Sequence, residues 1–328
     1  MCAVEISPIR VMRFPFAEAG TIPSVTRRAL GNTGLTLPAI GFGAAPLGGV
    51  YGPITQEEAD RTVRAALNAG INFFDVSPYY GNAEEVLGRA LRGIPRDSYT
   101  LGTKLGRYGP RDFDFSATRA NASIEESLAK LGTDYLDIIL CHDIEFVDCG
   151  PVITETIPAL RKAQTAGKVR NVGVSGLPLS IFPEVLVQTD LDVILSYCHN
   201  SLNDDSLLDL LPELEERGVG VIGASPLSMG LLTDGEPPVW HPAPPALKEA
   251  ATRAAEHCRS KGKSLTQLAL GYALRLPGPA TMLVGIASEE QVAQNVKTLE
   301  TPLDMELLAE VEAILAPVKR LTWATHLA

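Results

Sequence analysis

The stretch NFFDVSPYYGNAEEVLGRAL, residues 72–91, passes from a strand into a helix within a few residues. Its first part is a short apolar run with aromatic side chains, which favours a buried strand. That strand ends on a carboxylate, Asp75, and the loop after it carries Tyr80 beside Gly81. A strand joined closely to a helix is the repeating unit of parallel α/β folds, so the same unit is expected to recur along the chain.

Eight apolar runs of strand length occur along the chain, with longer segments of helical period between them. The runs are AIGFGA (39–44), NFFDV (72–76), TLGTKL (100–105), DIILCH (137–142), NVGVSG (171–176), VILSYC (193–198), GVGVIGAS (218–225) and TMLVGIA (281–287). Near-continuous apolar strands that alternate with helices indicate a parallel sheet covered on its outer face. Eight such repeats predict an α/β fold of the (β/α)8 TIM barrel type.

We expect one barrel domain over residues 27–328, after an irregular N-terminal extension over residues 1–26. The alternative is an open doubly wound sheet. Residues 41–49 disfavour it, because Pro46 occupies the third glycine place of the glycine-rich loop that such sheets use for dinucleotides. The proline-rich segment 234–246 is too long for a simple connection, so we expect a loop over a binding face.

Composition narrows the classes of partner. The net charge of -11 disfavours nucleic acid and anionic membranes, since both attract basic surfaces. The five cysteines show no spacing typical of metal or redox sites, and no run of about eighteen apolar residues occurs. We therefore expect a cytoplasmic protein, a monomer or weak homodimer, that binds a small molecule and neither nucleic acid nor a membrane.

Three consecutive predicted strands end in ionisable side chains, Asp75, Lys104 and His142. Active sites of such barrels lie at the C-terminal ends of the strands, and neighbouring strands are about 4.8 Å apart. A buried lysine needs a partner, which Asp75 offers, and Tyr80 can reach the same place. An ammonium beside a phenol favours the phenolate. The sequence thus predicts a phenol of lowered pKa that exchanges a proton with a substrate oxygen.

Taken singly, each of these four side chains has an ordinary structural role as its alternative, such as a turn cap or a surface aromatic. Their joint placement at successive strand ends favours chemistry. A metal site in CHDIE (141–145) is disfavoured, because alternation sends Cys141 and His142 to opposite faces and no second histidine has ligand spacing. Nucleophilic catalysis by Cys141 is disfavoured too, since it would face the helices. We expect no metal.

Longer motifs connect the chain to a known family. DVSPYYG (75–81), LGTKLGRY (101–108), DYLDIILCHD (134–143), GVSG (173–176) and ASPLSMGLL (224–232) resemble the aldo-keto reductase superfamily, over about residues 26–323. Within it, stretches such as VILSYCHN (193–200) and GLLTDGEPPVWHPA (230–243) resemble the L-galactose dehydrogenase subfamily of plant ascorbate biosynthesis. The resemblance implies a catalytic tetrad of Asp75, Tyr80, Lys104 and His142 and a nicotinamide cofactor, which a proton-transfer phenol needs as its hydride partner.

The resemblance also implies where this cofactor lies. Ser175 would touch the carboxamide. The pyrophosphate would lie at Ser225, Pro226, Leu227, Ser228 and Gly230, and the adenosine end at Gly285, Ser288, Gln291 and Asn295. Two positions depart from the superfamily pattern, because Gly176 replaces a frequent asparagine and Ala224 an aromatic residue that often stacks on the nicotinamide.

NADP-specific relatives have a lysine and an arginine where this chain has Gly285 and Gln291. Glu289 and Glu290 add negative charge at the place where a 2′-phosphate would lie. The resemblance therefore implies NAD as the cofactor. The alternative for the two glutamates is a purely structural role in the first turn of a helix.

For the reaction, the resemblance implies oxidation of L-galactose at C1 to L-galactono-1,4-lactone. The nearest alternative is a broader aldose 1-dehydrogenase that acts on L-fucose or D-arabinose. An NADPH carbonyl reductase and a cofactor-sensing subunit of membrane channels are more distant alternatives. The candidate contacts for the sugar are Tyr51, His142, His199 and Trp240.

Overall fold

The computed structural model of the protein describes residues 26–50 and 52–323. Eight parallel strands form a closed barrel, in which strands that are consecutive in the sequence lie next to each other. They are β1 (Ile40–Gly43), β2 (Phe73–Asp75), β3 (Thr100–Leu105), β4 (Leu136–Cys141), β5 (Val169–Gly176), β6 (Val193–Tyr197), β7 (Gly220–Ala224) and β8 (Thr281–Gly285). All eight predicted strands are confirmed, and the closed barrel excludes the open sheet.

Helices cover the outside of the barrel. They are α1 (Gln56–Asn68), α2 (Ala83–Ala90), α3 (Ala117–Leu131), α4 (Ile157–Thr165), α5 (Ile181–Leu186), α6 (Leu211–Glu216), α7 (Pro245–Ser260), α8 (Leu265–Arg275), α9 (Glu289–Glu300) and α10 (Met305–Leu315). A helical turn at Cys149–Pro151 and a π-helical stretch at Val152–Thr156 lead into α4. Within the described residues, none of the helices has the length and apolarity needed to cross a membrane.

The sequence of α1 shows why these segments are helical. Thr55 accepts a hydrogen bond from the Glu58 backbone N–H, and the Glu58 carboxylate accepts one from the Thr55 N–H, which completes a capping box. Ala59, Val63 and Ala66 recur at helical spacing and are fully buried against the sheet. The amphipathic pattern that predicts this helix is therefore the pattern that packs it.

The barrel interior is a packed core. Phe73, Ile138, Val193 and Ile222 point inward from four different strands and are fully or almost fully buried. A short hairpin, Arg27–Ala29 with Thr36–Pro38, precedes the barrel, and its Leu30 and Leu37 join the same cluster. Side chains and the hairpin thus fill the barrel, so a ligand site has to lie at its mouth.

The long loop after β7 behaves as the sequence predicts. No helix or strand occurs between Leu231 and Pro244, and the side chains of Val239 and Trp240 are 99% and 58% exposed. Trp240 also lines a cavity at the C-terminal ends of the strands. The predicted extension 1–26 lies outside the described residues except for Thr26. Cys141, Cys149, Cys198 and Cys258 are free thiols.

Candidate active site

A buried ion pair lies at the C-terminal ends of β2 and β3. The Lys104 Nζ contacts the Asp75 carboxylate and donates a hydrogen bond of 3.0 Å to the Val76 carbonyl oxygen. Lys104 is 2% exposed, so its charge is held in place rather than solvated. Burial is the largest single influence and disfavours the ammonium, but the charge and hydrogen bond of Asp75, together with Tyr80 and Asp143, outweigh it and raise the pKa of Lys104. Lys104 is therefore a fixed cation at the barrel mouth.

Tyr80 follows β2 and packs on this cation. The Lys104 Nζ lies 5.1 Å from the centre of the Tyr80 ring. The predicted convergence of these two side chains is confirmed. The predicted direction of the pKa is wrong, because burial outweighs Lys104 and raises the pKa of Tyr80 to about 12. In the free protein Tyr80 is therefore a neutral phenol with a cation placed to stabilise its anion.

His142 completes the predicted cluster from the end of β4. Its ring is perpendicular to the Tyr80 ring, with 5.7 Å between the centres, and its Nδ1 lies 2.9 Å from the Ser77 hydroxyl. Burial lowers the pKa of His142 to about 3, so the imidazole is neutral at physiological pH. A neutral imidazole has one donor and one acceptor nitrogen, which suits it to orient a hydroxyl group.

A close backbone approach positions the Tyr80 loop. Gly48, in the turn after β1, lies so near this loop that a Cβ at residue 48 would be 1.8 Å from the Tyr80 carbonyl oxygen. We expect Gly48→Ala to displace Tyr80 and to lower kcat/KM by about 10- to 100-fold, the cost of a small misplacement at a reacting group. Initial rates measure this effect. Gly235→Ala is the matched control, since no atom lies nearer than 4.0 Å to its Cβ. Equal rates for both variants would contradict the prediction.

A second cluster of charges lies beside His142, and the sequence did not indicate it. The Arg107 guanidinium forms an ion pair with Asp143 and lies 4.1 Å from the centre of the Tyr79 ring. Asp143 has a left-handed backbone, with φ of 51°, and its N–H donates to the Ser175 hydroxyl at 2.9 Å. Ser175 therefore holds the Asp143 backbone as well as facing the cavity, while Arg107 and Tyr79 add a polar wall.

These side chains surround a cavity of about 490 Å³ at the barrel mouth. It is lined by Gly43, Ala45, Val50, Asp75, Tyr79, Tyr80, Lys104, Arg107, His142, Asp143, Ser175, Leu195, Tyr197, Ala224, Ser225, Met229, Trp240, Leu283 and Gly285. The predicted tetrad lies on one side of it. The polar groups and the apolar walls together fit a small polar molecule whose reacting oxygen reaches Tyr80.

One predicted sugar contact, His199, does not join this cavity. His199 does not line it: the ring is buried beyond the end of β6, and its Nδ1 lies 2.9 Å from the Asp204 carboxylate. That prediction is corrected, because the chain turns after Tyr197 and carries residue 199 away from the mouth. Tyr51 lies outside the described residues. Trp240 and His142 do line the cavity.

The predicted pyrophosphate loop has an unusual backbone. Ser225, Ser228 and Met229 have positive φ angles of 54°, 46° and 56°. Turns that alternate between right- and left-handed conformations direct backbone N–H groups into a common concavity, which binds anions. Ser225 lines the cavity, whereas the Ser228 side chain is buried and donates to Asn203 at 2.6 Å. The predicted Ser228 contact is thus restricted to its backbone.

The remaining residues of the predicted pyrophosphate loop have mixed surroundings. Pro226 is buried, Leu227 is half-buried against the core, and Gly230 adopts a φ of 96° against Pro238. Leu227 and Gly230 therefore shape the loop, whereas Ser225 and Met229 form its cavity wall.

The predicted adenosine end lies at the start of α9. The Ser288 hydroxyl accepts a hydrogen bond from the Gln291 N–H, and the Gln291 side chain accepts one from the Ala287 N–H, so Ser288 caps this helix. Asn295 carries a buried side-chain nitrogen, Nδ2, without a hydrogen-bond partner. An unpaired buried donor is costly, so it marks a place where a ligand acceptor fits.

Arg61 of α1 also reaches this site, which the sequence did not indicate. Its guanidinium lies 3.1 Å from the Glu289 carboxylate. Part of the negative charge predicted at the start of α9 is therefore compensated.

The donor groups fit a dinucleotide better than a metal. The left-handed turns at residues 225–230 follow β7, Asn295 lies on the helix after β8, and β7 and β8 both end at the cavity. Among the residues that the structure describes, no three His, Cys, Asp or Glu side chains lie close enough together to hold a metal ion.

Comparisons with known proteins agree with this geometry. The sequence profile of the aldo/keto reductase family matches residues 39–316. The chain is 54% identical to an L-galactose dehydrogenase of Arabidopsis thaliana, over 90% of this chain and 96% of that protein. It is 35% identical to a D-arabinose 1-dehydrogenase of Saccharomyces cerevisiae, over 70% of this chain and 73% of that protein. The structure of an aldo-keto reductase from Bacillus halodurans, solved in its holo form, superposes with a TM-score of 0.76 at 27% identity. The superposition covers 93% of this chain and 100% of that protein.

Proposed function

The chain belongs to the aldo/keto reductase family of oxidoreductases, and from that premise we propose that it oxidises L-galactose at C1 to L-galactono-1,4-lactone with NAD. The observation that carries the proposal is the convergence of Tyr80, Lys104 and His142 at one cavity. The 54% identity to a plant L-galactose dehydrogenase supports this choice of substrate.

The proton chemistry falls to the side chains of the tetrad. Tyr80 takes the proton of the C1 hydroxyl, and Lys104 stabilises the phenolate that forms. Asp75 holds the ammonium next to Tyr80, and the neutral His142 orients the sugar hydroxyl. When bound in the cavity, a nicotinamide dinucleotide would supply the hydride acceptor that this proton transfer needs.

Residues near α9 support NAD over NADP. Gly285 and Gln291 offer no cation to a 2′-phosphate, and Glu290 is negatively charged. Arg61 is a cation near this place, and its pairing with Glu289 limits its use for a phosphate. We therefore expect the efficiency with NAD to exceed that with NADP by at least about tenfold, which corresponds to about 1.4 kcal/mol.

A broader aldose 1-dehydrogenase is the second candidate, and the 35% identity to a yeast D-arabinose 1-dehydrogenase favours it. L-Galactose, L-fucose and D-arabinose share their C2 to C4 configuration and differ only in the C5 substituent. A difference of one small group changes kcat/KM by about 10- to 200-fold unless a buried hydrogen bond serves it. Arg107 and Trp240 are the polar and apolar groups at the cavity that can make that distinction.

An initial-rate panel tests the proposed function. L-Galactose, L-fucose and D-arabinose are each assayed with NAD and with NADP, and kcat/KM is compared. We expect L-galactose with NAD to have the highest value. A higher value for L-fucose or D-arabinose would establish the broader enzyme instead, and equal values for the two cofactors would refute the NAD assignment.

A further inference from the structure

An aromatic residue faces the tetrad from the opposite wall of the barrel. In a closed barrel of eight strands, β6 is four strands away from β2 in either direction, so their ends lie across the mouth from each other. Tyr197 is the last residue of β6, and it lines the cavity. A ligand that contacts the tetrad on one side of the cavity can therefore contact the Tyr197 ring on the other side.

The Tyr197 ring is fixed from behind. Its hydroxyl donates a hydrogen bond of 2.9 Å to the Glu145 carboxylate, which also accepts one of 3.1 Å from the Leu177 N–H. Glu145 reaches this place because residue 176 is glycine: a Cβ there would lie 3.1 Å from the second carboxylate oxygen. Many superfamily members have an asparagine at residue 176. Here Gly176 leaves that space to Glu145, which orients Tyr197.

The neighbouring strand leaves the ring uncovered. Tyr197 pairs in register with Ala224 of β7, whose single methyl group also lines the cavity. A large side chain at residue 224 would compete with the Tyr197 ring for the same corner. The short side chain of Ala224 therefore leaves the Tyr197 ring open to the cavity, beside the start of the proposed pyrophosphate loop.

We propose that the Tyr197 ring packs against the nicotinamide ring of the dinucleotide, with Glu145 as the residue that positions Tyr197. This inference rests on the proposed function, since it requires a nicotinamide cofactor. Aromatic rings attract one another in offset contact, and the electron-rich face of a phenol attracts the positive ring of NAD⁺. The oxidised cofactor therefore gains most from this contact.

Paired calorimetric titrations with NAD⁺ and ADP-ribose test the proposal. ADP-ribose keeps the adenosine, the pyrophosphate and the second ribose but lacks the nicotinamide. We expect Tyr197→Leu to weaken NAD⁺ binding by about 3- to 10-fold, the usual range for one aromatic contact, and to leave ADP-ribose binding unchanged. Tyr197→Phe keeps the ring and loses the bond to Glu145, so we expect a smaller loss that is again confined to NAD⁺.

The possible outcomes separate the two proposals. If Tyr197→Leu weakens both ligands equally, or neither, Tyr197 does not contact the nicotinamide. If NAD⁺ binding is unchanged and the KM for the sugar rises, the ring contacts the sugar and the inference is wrong. If the unmodified protein binds neither ligand, the proposed function itself fails. Thermal unfolding of each variant verifies that the fold is retained.

Discussion

Tyr80→Phe is expected to lower kcat for sugar oxidation by about 10²- to 10⁴-fold, the range that general acid–base catalysis contributes. The substitution removes one oxygen atom and leaves the ring, which packs against His142 and below the Lys104 ammonium. In the proposed mechanism the phenol oxygen takes the C1 proton, so the variant should lose the chemical step while the cavity keeps its shape. Calorimetry should therefore find NAD⁺ affinity within about twofold of the unmodified protein.

Tyr135→Phe is the matched control for this substitution. Tyr135 directly precedes β4 and thus lies at the other end of the barrel, where its ring packs against Arg96 and Arg170. The control loses the same hydroxyl group and is expected to keep the rate of the unmodified protein. Retained activity in Tyr80→Phe would remove the phenol from the mechanism.

The pKa of Tyr80 gives the same experiment a second readout. Burial raises this pKa to about 12, so the basic form needed for oxidation is scarce at neutral pH and becomes more abundant as pH rises. We expect the oxidation rate of the unmodified protein to increase between about pH 7 and pH 10. Tyr80→Phe should lose that dependence. His142 adds no inflection in this window, because burial lowers its pKa to about 3.

The barrel could be predicted from the sequence because its determinants are local. Each strand, such as TLGTKL (100–105), is a continuous apolar run, and each outer helix has a repeating apolar face. The tetrad was predictable for a related reason. In parallel α/β barrels the C-terminal ends of successive strands lie at the same rim. The rim therefore brings together Asp75, Lys104 and His142, independently of the loop conformations.

The remaining features depend on distances that local patterns do not encode. The direction in which the pKa of Tyr80 shifts depends on how completely the phenol is buried. The sequence indicates the nearby lysine but not the degree of burial. The prediction for His199 is wrong because one left-handed residue, Cys198 with φ of 68°, turns the chain after β6. The contact of Arg61 with Glu289 joins residues 228 positions apart.

Glu145 and Tyr197 show the same limit in the site itself. A small residue at 176 and another at 224 looked like two lost contacts with the cofactor. In the folded chain, Gly176 leaves room for the Glu145 carboxylate, and Ala224 leaves room for the Tyr197 ring. Such compensation becomes visible only when the strand register is known.

Lys104→Met is expected to lower the free energy of unfolding by about 3–5 kcal/mol, which is the usual cost of removing one partner from a buried ion pair. Methionine keeps most of the volume of the lysine stem, so the main loss is the ammonium beside Asp75. Since domains are stable by about 5–15 kcal/mol, the variant should still fold but should unfold at a clearly lower urea concentration. Activity should be lost as well, because nothing then stabilises the Tyr80 phenolate.

The pH dependence and a second substitution identify the cause of that loss. Burial already raises the pKa of Asp75, and removal of Lys104 raises it further, so the folded variant prefers a protonated carboxyl. Its stability deficit should therefore be smaller near pH 5 and grow as pH rises through the raised pKa. Lys104→Met combined with Asp75→Asn carries no buried charge, and we expect it to be more stable at pH 8 than Lys104→Met alone. If the two substitutions instead cost additive amounts, and if the deficit does not change with pH, then Asp75 and Lys104 do not act as a pair, and the ammonium is held beside Tyr80 by the Val76 carbonyl oxygen and packing alone.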